Sequence, residues 1–161
     1  MTRGLGKKDE AIAELRETGR FERVLSAIPY ARLLGLSVDV VEGDPITTMR
    51  ATQALIGNPI LPALHGGTVG ALLESAAIFK LIWEIRSIAV PKTINITVDY
   101  LRSARVIDTH ARAIITKHGR RVANVQVRAW QTDESKPIAA AHAHFLLKTL
   151  EASENVGDSG G

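Results

Sequence analysis

A chain of 161 residues with 45% hydrophobic content is long enough to bury the core of one globular domain and short for two. Its 20 Lys and Arg against 17 Asp and Glu leave a net charge of +3, and the basic residues are scattered, which argues against a nucleic-acid-binding stripe. With no Cys, the chain has no disulfide, no thiolate metal site and no Cys nucleophile.

The opening, "MTRGLGKKDEAIAELRE", turns acidic where a signal peptide would turn apolar, and no run approaches the ~20 consecutive apolar residues of a membrane span. A soluble, cytoplasmic protein with no membrane partner is the expectation. "KKDEAIAELR", from Lys7 to Arg16, reads as a helix, and Phe21, Val24, Leu25 and Ile28 mark a second amphipathic face that Pro29 ends. Two β segments follow between Leu36 and Thr52, around a Gly43-Asp44-Pro45 turn. The Gly- and Pro-containing stretch "LIGNPILPAL" predicts a loop. From His65 to about Arg86 the chain is long, apolar and alanine-rich, which favours helix over strand.

The second half is written in period two. Ile94, Ile96, Val98 and Tyr100 alternate with polar residues between Thr93 and Leu101, and "DTHARAIITKHGRRVANVQVRAW" has a hairpin pattern around His118-Gly119. A last strand falls between Pro137 and Leu150. One helical region, two strands, a buried helix and four strands together give an α+β domain, an antiparallel sheet packed on a helix. The polar tail "EASENVGDSGG" is expected to be disordered.

Chemistry concentrates in "LPALHGGTVGALLESAAIF", Leu61 to Phe79. Glu74 is the one charged residue between Gly66 and Phe79, and its neighbours Leu72, Leu73, Ala76, Ala77 and Ile78 offer no plainly solvent-facing side. Burying a carboxylate costs several kcal/mol unless it is paired or protonated. Either Glu74 is a structural acid with a local hydrogen-bond partner, or it belongs to an active site, where perturbed carboxylates concentrate. Upstream, His65-Gly66-Gly67 begins the helix, where the first N–H groups lack intrahelical partners and glycine admits a ligand oxygen. Such a terminus can serve as an oxyanion hole or be no more than a tight loop-to-helix turn. Gly66 and Glu74 are eight residues apart, about 12 Å along the axis, too far to act on one carbonyl carbon. If both act together they do so across a symmetric dimer, Gly66 of one subunit meeting Glu74 of the other.

"NPILPALHGGTVGALLESAA", followed by "PKTINITVDYLRSARVIDTHARAIITKHGRRVANVQVRAWQTDESKPIAAAHAHFLL", resembles the hotdog-fold acyl-CoA thioesterases of the phenylacetate-pathway (PaaI-like) type. The resemblance spans Ile28 to Leu147. It implies a curved antiparallel sheet wrapped around one long central helix, preceded by N-terminal helices: a helical segment 1–29, a hotdog domain 30–149 and a tail 150–161. It implies a homodimer joined edge to edge, with a dimer of dimers also open, and an acyl-CoA substrate whose CoA is not a cofactor. No metal or other cofactor is expected.

Carried over by position, the resemblance makes Glu74 the nucleophile or general base and the Gly66 N–H the donor to the thioester carbonyl. His65 and Gly67 shape the turn against the substrate, and Thr93 helps hold the attacking water. The family tends to place Asn or Gln six residues before the His; here that position is Pro59, and Asn58 stands seven before. Asn58 therefore either fills that role after a one-residue insertion or structures the loop. Arg102, Arg120 and Arg121 are candidates for the nucleotide phosphates. His142 and His144 share a strand face without an evident third metal ligand, which favours surface or interface histidines over a metal pair. Two other readings stay open: a non-catalytic acyl-CoA-binding protein, and a hydroxyacyl dehydratase, which the chain fits poorly because His65 is its first His.

Overall fold

In a computed structural model of the protein, residues 6–85 and 89–148 are described. Helix α1 (Lys7–Thr18) ends at Gly19, whose φ of 69° is the left-handed conformation that closes a helix at low cost. Pro29 does end the next helix, α2 (Glu22–Ser26), but it also opens another, α3 (Pro29–Leu33). Its fixed φ suits the first helical turn, where its missing N–H has no partner to lose.

Strands β1 (Leu36–Val41) and β2 (Asp44–Met49) form a hairpin. Its turn sits at Glu42 and Gly43, one residue earlier than the sequence suggests, with φ of 52° and 82°. Two consecutive positive φ values are what a two-residue hairpin turn requires. Pro45 thus falls inside β2, in its first residues, before pairing with the next strand begins at Ile46. A 3-10 turn (Gln53–Leu55) leads into the stretch expected to be a loop, which itself holds a small ladder of β3 (Ile56–Asn58) with β4 (Ala63–Leu64).

Helix α4 (Gly66–Glu84) follows directly, then β5 (Lys92–Tyr100), β6 (Thr109–His118), β7 (Val122–Trp130) and β8 (Ala139–Leu146). The last strand is shorter at both ends than its apolar run, and the 150–161 tail and Arg86 lie outside the described residues. The six long strands make one antiparallel sheet in the order β1-β2-β6-β7-β8-β5. Helix α4 lies across β2, β6, β7, β8 and β5.

The residues explain the close fit. The helix-facing side of the sheet is rich in alanine: Ala111, Ala113, Ala123, Ala129, Ala139, Ala141 and Ala143 are all buried. These short side chains admit the bulk of Leu72, Leu73, Phe79 and Leu81 from α4, each exposed by 1% or less. By length and composition α4 is also apolar enough to cross a membrane, and here it is the core helix of a sheet. The N-terminal helices cover its far end, where Phe21 packs edge-on to Phe79 (5.8 Å) and stacks on Trp83 (5.7 Å).

Candidate active site

Helix α4 starts at a turn fixed from three sides. The His65 N–H donates to Leu55 O (2.8 Å), the neighbouring Leu64 N–H donates to Ala104 O (2.9 Å), and Ala63 bridges Arg105. Gly57 makes the third approach: a β-carbon there would lie 2.7 Å from His65 Cα, so only glycine lets β3 cross so closely.

His65 itself is the N-cap, its Nδ1 accepting the Gly67 N–H at 2.9 Å. Accepting at Nδ1 places the neutral ring's proton on Nε2. The Thr68 hydroxyl and N–H both donate to His65 O, at 2.7 and 2.9 Å. Of the two glycine N–H groups, Gly67's is therefore taken within the chain, while Gly66's has no acceptor among the described residues. Gly67 contributes space instead, since a β-carbon there would sit 2.9 Å from His65 Nδ1. The ring of Tyr100 lies over Gly66, at 3.3 Å from where a β-carbon would be, and its hydroxyl donates to Gly66 O at 2.7 Å.

Glu74 is neither fully buried nor uncompensated, contrary to what its apolar neighbours suggest. It is half-buried on the side of α4 that the sheet leaves uncovered, and the Thr93 hydroxyl donates to its Oε1 at 2.5 Å. The surroundings misled because sequence neighbours on a helix point to all sides; Gly67, Gly70, Ala71 and Ile78, which share its face, are themselves only partly covered. Thr93 reaches Glu74 through a register shift between Thr93 and Asn95 in β5. Strict alternation would turn Ile94 toward the helix with Ile96 and Val98; the bulge leaves Ile94 56% exposed and turns Thr93 inward.

Two polar contacts thus mark the two ends of one strand: Thr93 with Glu74, and Tyr100 with Gly66. That strand, β5, is the last in the sheet and, among the described residues, pairs only with β8.

A family model for the acyl-CoA thioesterase N-terminal domain matches residues 57–146, which hold all of these groups. The chain belongs to the acyl-CoA thioesterase family. It is a thioester hydrolase with the hotdog architecture, as the resemblance implied. Among solved structures, a protein from Chromobacterium violaceum is 39% identical over 88% of this chain and 98% of its own, with a TM-score of 0.72. A phenylacetic acid degradation-related thioesterase from Ralstonia eutropha is 28% identical over 78% of this chain and 98% of its own (TM-score 0.67). A Haemophilus influenzae thioesterase, 22% identical over 78% of this chain and 87% of its own (TM-score 0.66), shares the fold. No curated protein matches the chain.

In this thioesterase the remaining sequence candidates fall in three places. Asn58 Oδ1 accepts from the N–H groups of Ile60 (3.0 Å) and Leu61 (3.3 Å), an Asx turn that structures the loop. Arg102 donates to Pro137 O and shares a cavity with Gly66 and Tyr100. Arg120 and Arg121 form the exposed β6–β7 turn at the opposite end of the sheet, where Ala123, Phe145 and Thr93 lie in one row. The histidines of β8 line the outer sheet face, and His144 Nδ1 pairs with Asn95 Oδ1 at 2.7 Å. Gly57 and Tyr100 were not singled out as site residues by the sequence; Gly57 lay inside an apparent loop, and Tyr100 looked like one more apolar member of a strand.

Proposed function

We propose that this thioesterase hydrolyses acyl-CoA thioesters at two equivalent sites, each assembled from Gly66 of one subunit and Glu74 with Thr93 of a second copy. The carrying observation is the placement of both contacts on the edge strand. When two copies of β5 pair antiparallel about a two-fold axis between Ile96 and Thr97, Thr93 of each stands opposite Tyr100 of the other. That pairing satisfies the free N–H and C=O groups of an exposed nine-residue edge and covers Ile94 and Tyr100, each 56% exposed in the single chain. It also brings the Gly66 terminus to the Glu74 carboxylate, which the ~12 Å along α4 forbids within one chain.

In the assembled site the thioester oxygen accepts from the Gly66 N–H. Glu74 draws a proton from a water held with Thr93 as the water oxygen bonds to the carbonyl carbon. The tetrahedral oxyanion collapses, the C–S bond breaks, and the departing thiolate takes the proton from Glu74. Direct attack by Glu74, giving an anhydride that water then opens, uses the same atoms.

Gly66→Pro tests the donor, at the cost of a shift of a few tenths of an ångström in the Tyr100 ring, which lies 3.3 Å from a β-carbon at that position. Proline suits the first helical position, His65 already has the extended backbone (φ −64°, ψ 130°) that a following proline demands, and the N–H is deleted. Gly66→Pro and Glu74→Gln are each expected to lose about 10²–10³ in kcat. Mixed and re-equilibrated, the two proteins regain about a quarter of the wild-type sites, because each heterodimer holds one site with both native halves. No recovery on mixing, with heterodimers demonstrated, excludes the shared site.

A further inference from the structure

Of the first three N–H groups of α4, two are spent inside the chain. Gly67's goes to His65 Nδ1 at 2.9 Å and Thr68's to His65 O at 2.9 Å, which leaves Gly66's. The Gly66 N–H belongs to the same peptide unit as His65 O, and that oxygen is unusually well supplied with donors. The Thr68 hydroxyl reaches it at 2.7 Å, the Thr68 N–H at 2.9 Å and the Val69 N–H at 3.3 Å. The bond from Val69 is the regular α-helical one, and it is the longest of the three.

Donors on a peptide oxygen draw electron density from the nitrogen of the same unit and leave its hydrogen more positive. The N–H then donates more strongly, and bonds chained in this way reinforce one another by roughly 10–30% each. Two of the three donors on His65 O are backbone groups that a helix start supplies with any residue. The hydroxyl is a choice of side chain. At this third helical position a Glu or Gln would reach back to the N-cap N–H, but His65 N–H already bonds Leu55 O at 2.8 Å and leaves nothing to cap. Thr68 turns to the carbonyl instead. Tyr100 makes the contrast. Its hydroxyl donates at 2.7 Å to Gly66 O, which belongs to the next peptide unit, and the N–H of that unit is Gly67's, already engaged by His65. Tyr100 steadies the turn, whereas the Thr68 side chain acts on the peptide that carries the free N–H.

Resting on the reading of Gly66 as the oxyanion donor, we infer that Thr68 is a positioning residue for thioester hydrolysis. Its hydroxyl acts through the His65–Gly66 peptide, aiming the Gly66 N–H and strengthening it as a donor to the oxygen on which charge develops. Thr68 itself meets neither the substrate nor the reacting atoms. The expected size follows from two general magnitudes. One oxyanion donor is worth about 10²–10³ in kcat, and roughly 10–30% of that free energy corresponds to a loss of about two- to eightfold when the hydroxyl is removed. The oxygen carries more negative charge in the tetrahedral state than in the bound thioester, so the loss falls on kcat rather than on KM.

The experiment compares wild type, Thr68→Val and Thr68→Ser in steady-state kinetics with phenylacetyl-CoA and hexanoyl-CoA, and repeats Thr68→Val on top of Gly66→Pro. Valine keeps the shape and the backbone N–H, and serine keeps the hydroxyl. Thr68→Val should lower kcat about two- to eightfold with KM and Tm near wild type, and Thr68→Ser should restore it. Added to Gly66→Pro, which has no N–H left to strengthen, Thr68→Val should cost nothing further. The infrared stretch of an isotope-labelled phenylacetyl-CoA carbonyl, bound to the slow Glu74→Gln enzyme, should move to higher frequency when Thr68→Val is introduced. An unchanged kcat in Thr68→Val, an equal loss in the Gly66→Pro background, a loss in Thr68→Ser as large as in Thr68→Val, or an unmoved stretch overturns the role of Thr68 while Gly66 stays the donor. Full kcat in Gly66→Pro instead removes the donor itself, and the role of Thr68 with it.

Discussion

Glu74 and Lys80 stand six residues apart on α4, and the two charges are accommodated in opposite ways. Lys80 is the more buried, 8% exposed, and it is surrounded: it ion-pairs with Asp44 of β2 and with Glu84 one turn on. Asp44 in turn faces Arg112 at 3.4 Å, which reaches Glu134 at 3.1 Å, and the Trp83 indole ties the same helix end to Gly43 O. Glu74, half-buried, has one hydroxyl donor and no cation among the described residues. The C-terminal half of α4 has its polar groups matched by the fold, while the N-terminal half leaves a carboxylate and the Gly66 N–H under-matched and facing outward. Groups that fold stability does not explain are those expected to meet substrate.

The strongest way to break this contrast is Glu74→Gln. Its kcat should fall about 10³-fold with little change in Tm, since glutamine still accepts the Thr93 hydroxyl. A large drop in Tm with activity per folded molecule preserved would make Glu74 a structural acid. Next comes Gly57→Ala. The added carbon must displace His65 by a few tenths of an ångström or more, and a shift of that kind at the oxyanion turn costs on the order of 10² in kcat. Unaltered turnover there would mean that the His65 turn is not under positional constraint.

Lys80→Met should show the reverse pattern. It leaves Asp44 and Glu84 without their ammonium, but both are partly exposed, so the cost is about 2 kcal/mol, roughly 6 °C in Tm, with kcat retained. Loss of kcat without loss of Tm would erase the division between the two halves of the helix. Thr93→Val is smaller still. Removing one hydroxyl from Glu74 should lower kcat about tenfold and leave the β5 bulge in place, readable by steady-state kinetics beside circular dichroism.

What could be read in the letters follows the range of the interactions. The long helix, the period-two strands and the His65-Gly66-Gly67 start are local patterns, and all are present. The doubled role of Pro29 and the one-residue shift of the β1–β2 turn are also local, but each pattern admitted two placements that only packing decides. The pairing of Thr93 with Glu74 depends on a bulge, and a bulge leaves no mark in an alternating run of Ile and Val. Gly57 acts on a partner eight residues away, so its meaning appears only when the chain is folded. Asn58 is the instructive case. The Asn before Pro59 was legible as a turn former from its own chemistry, and its side-chain oxygen is engaged in that turn.

The smallest expected effect is a pH dependence that separates the two charges without altering the site. Burial lowers the pKa of Lys80, but the hydrogen bonds and charges of Asp44 and Glu84 outweigh it and hold the ammonium above its ordinary 10.5. The folded state then keeps a proton that the unfolded chain gives up. Stability from this group is fully present below the unfolded pKa and is lost as pH rises through the folded value, with a slope of at most about 1.4 kcal/mol per pH unit. Other lysines and tyrosines titrate in the same window, so the quantity to measure is the difference between wild type and Lys80→Met in urea midpoints from pH 9 upward. The stability gap should narrow as pH rises. A gap that stays constant would show that the Lys80 proton is not linked to folding, and that this end of α4 is held by Trp83 and the aromatic packing on Phe21 instead.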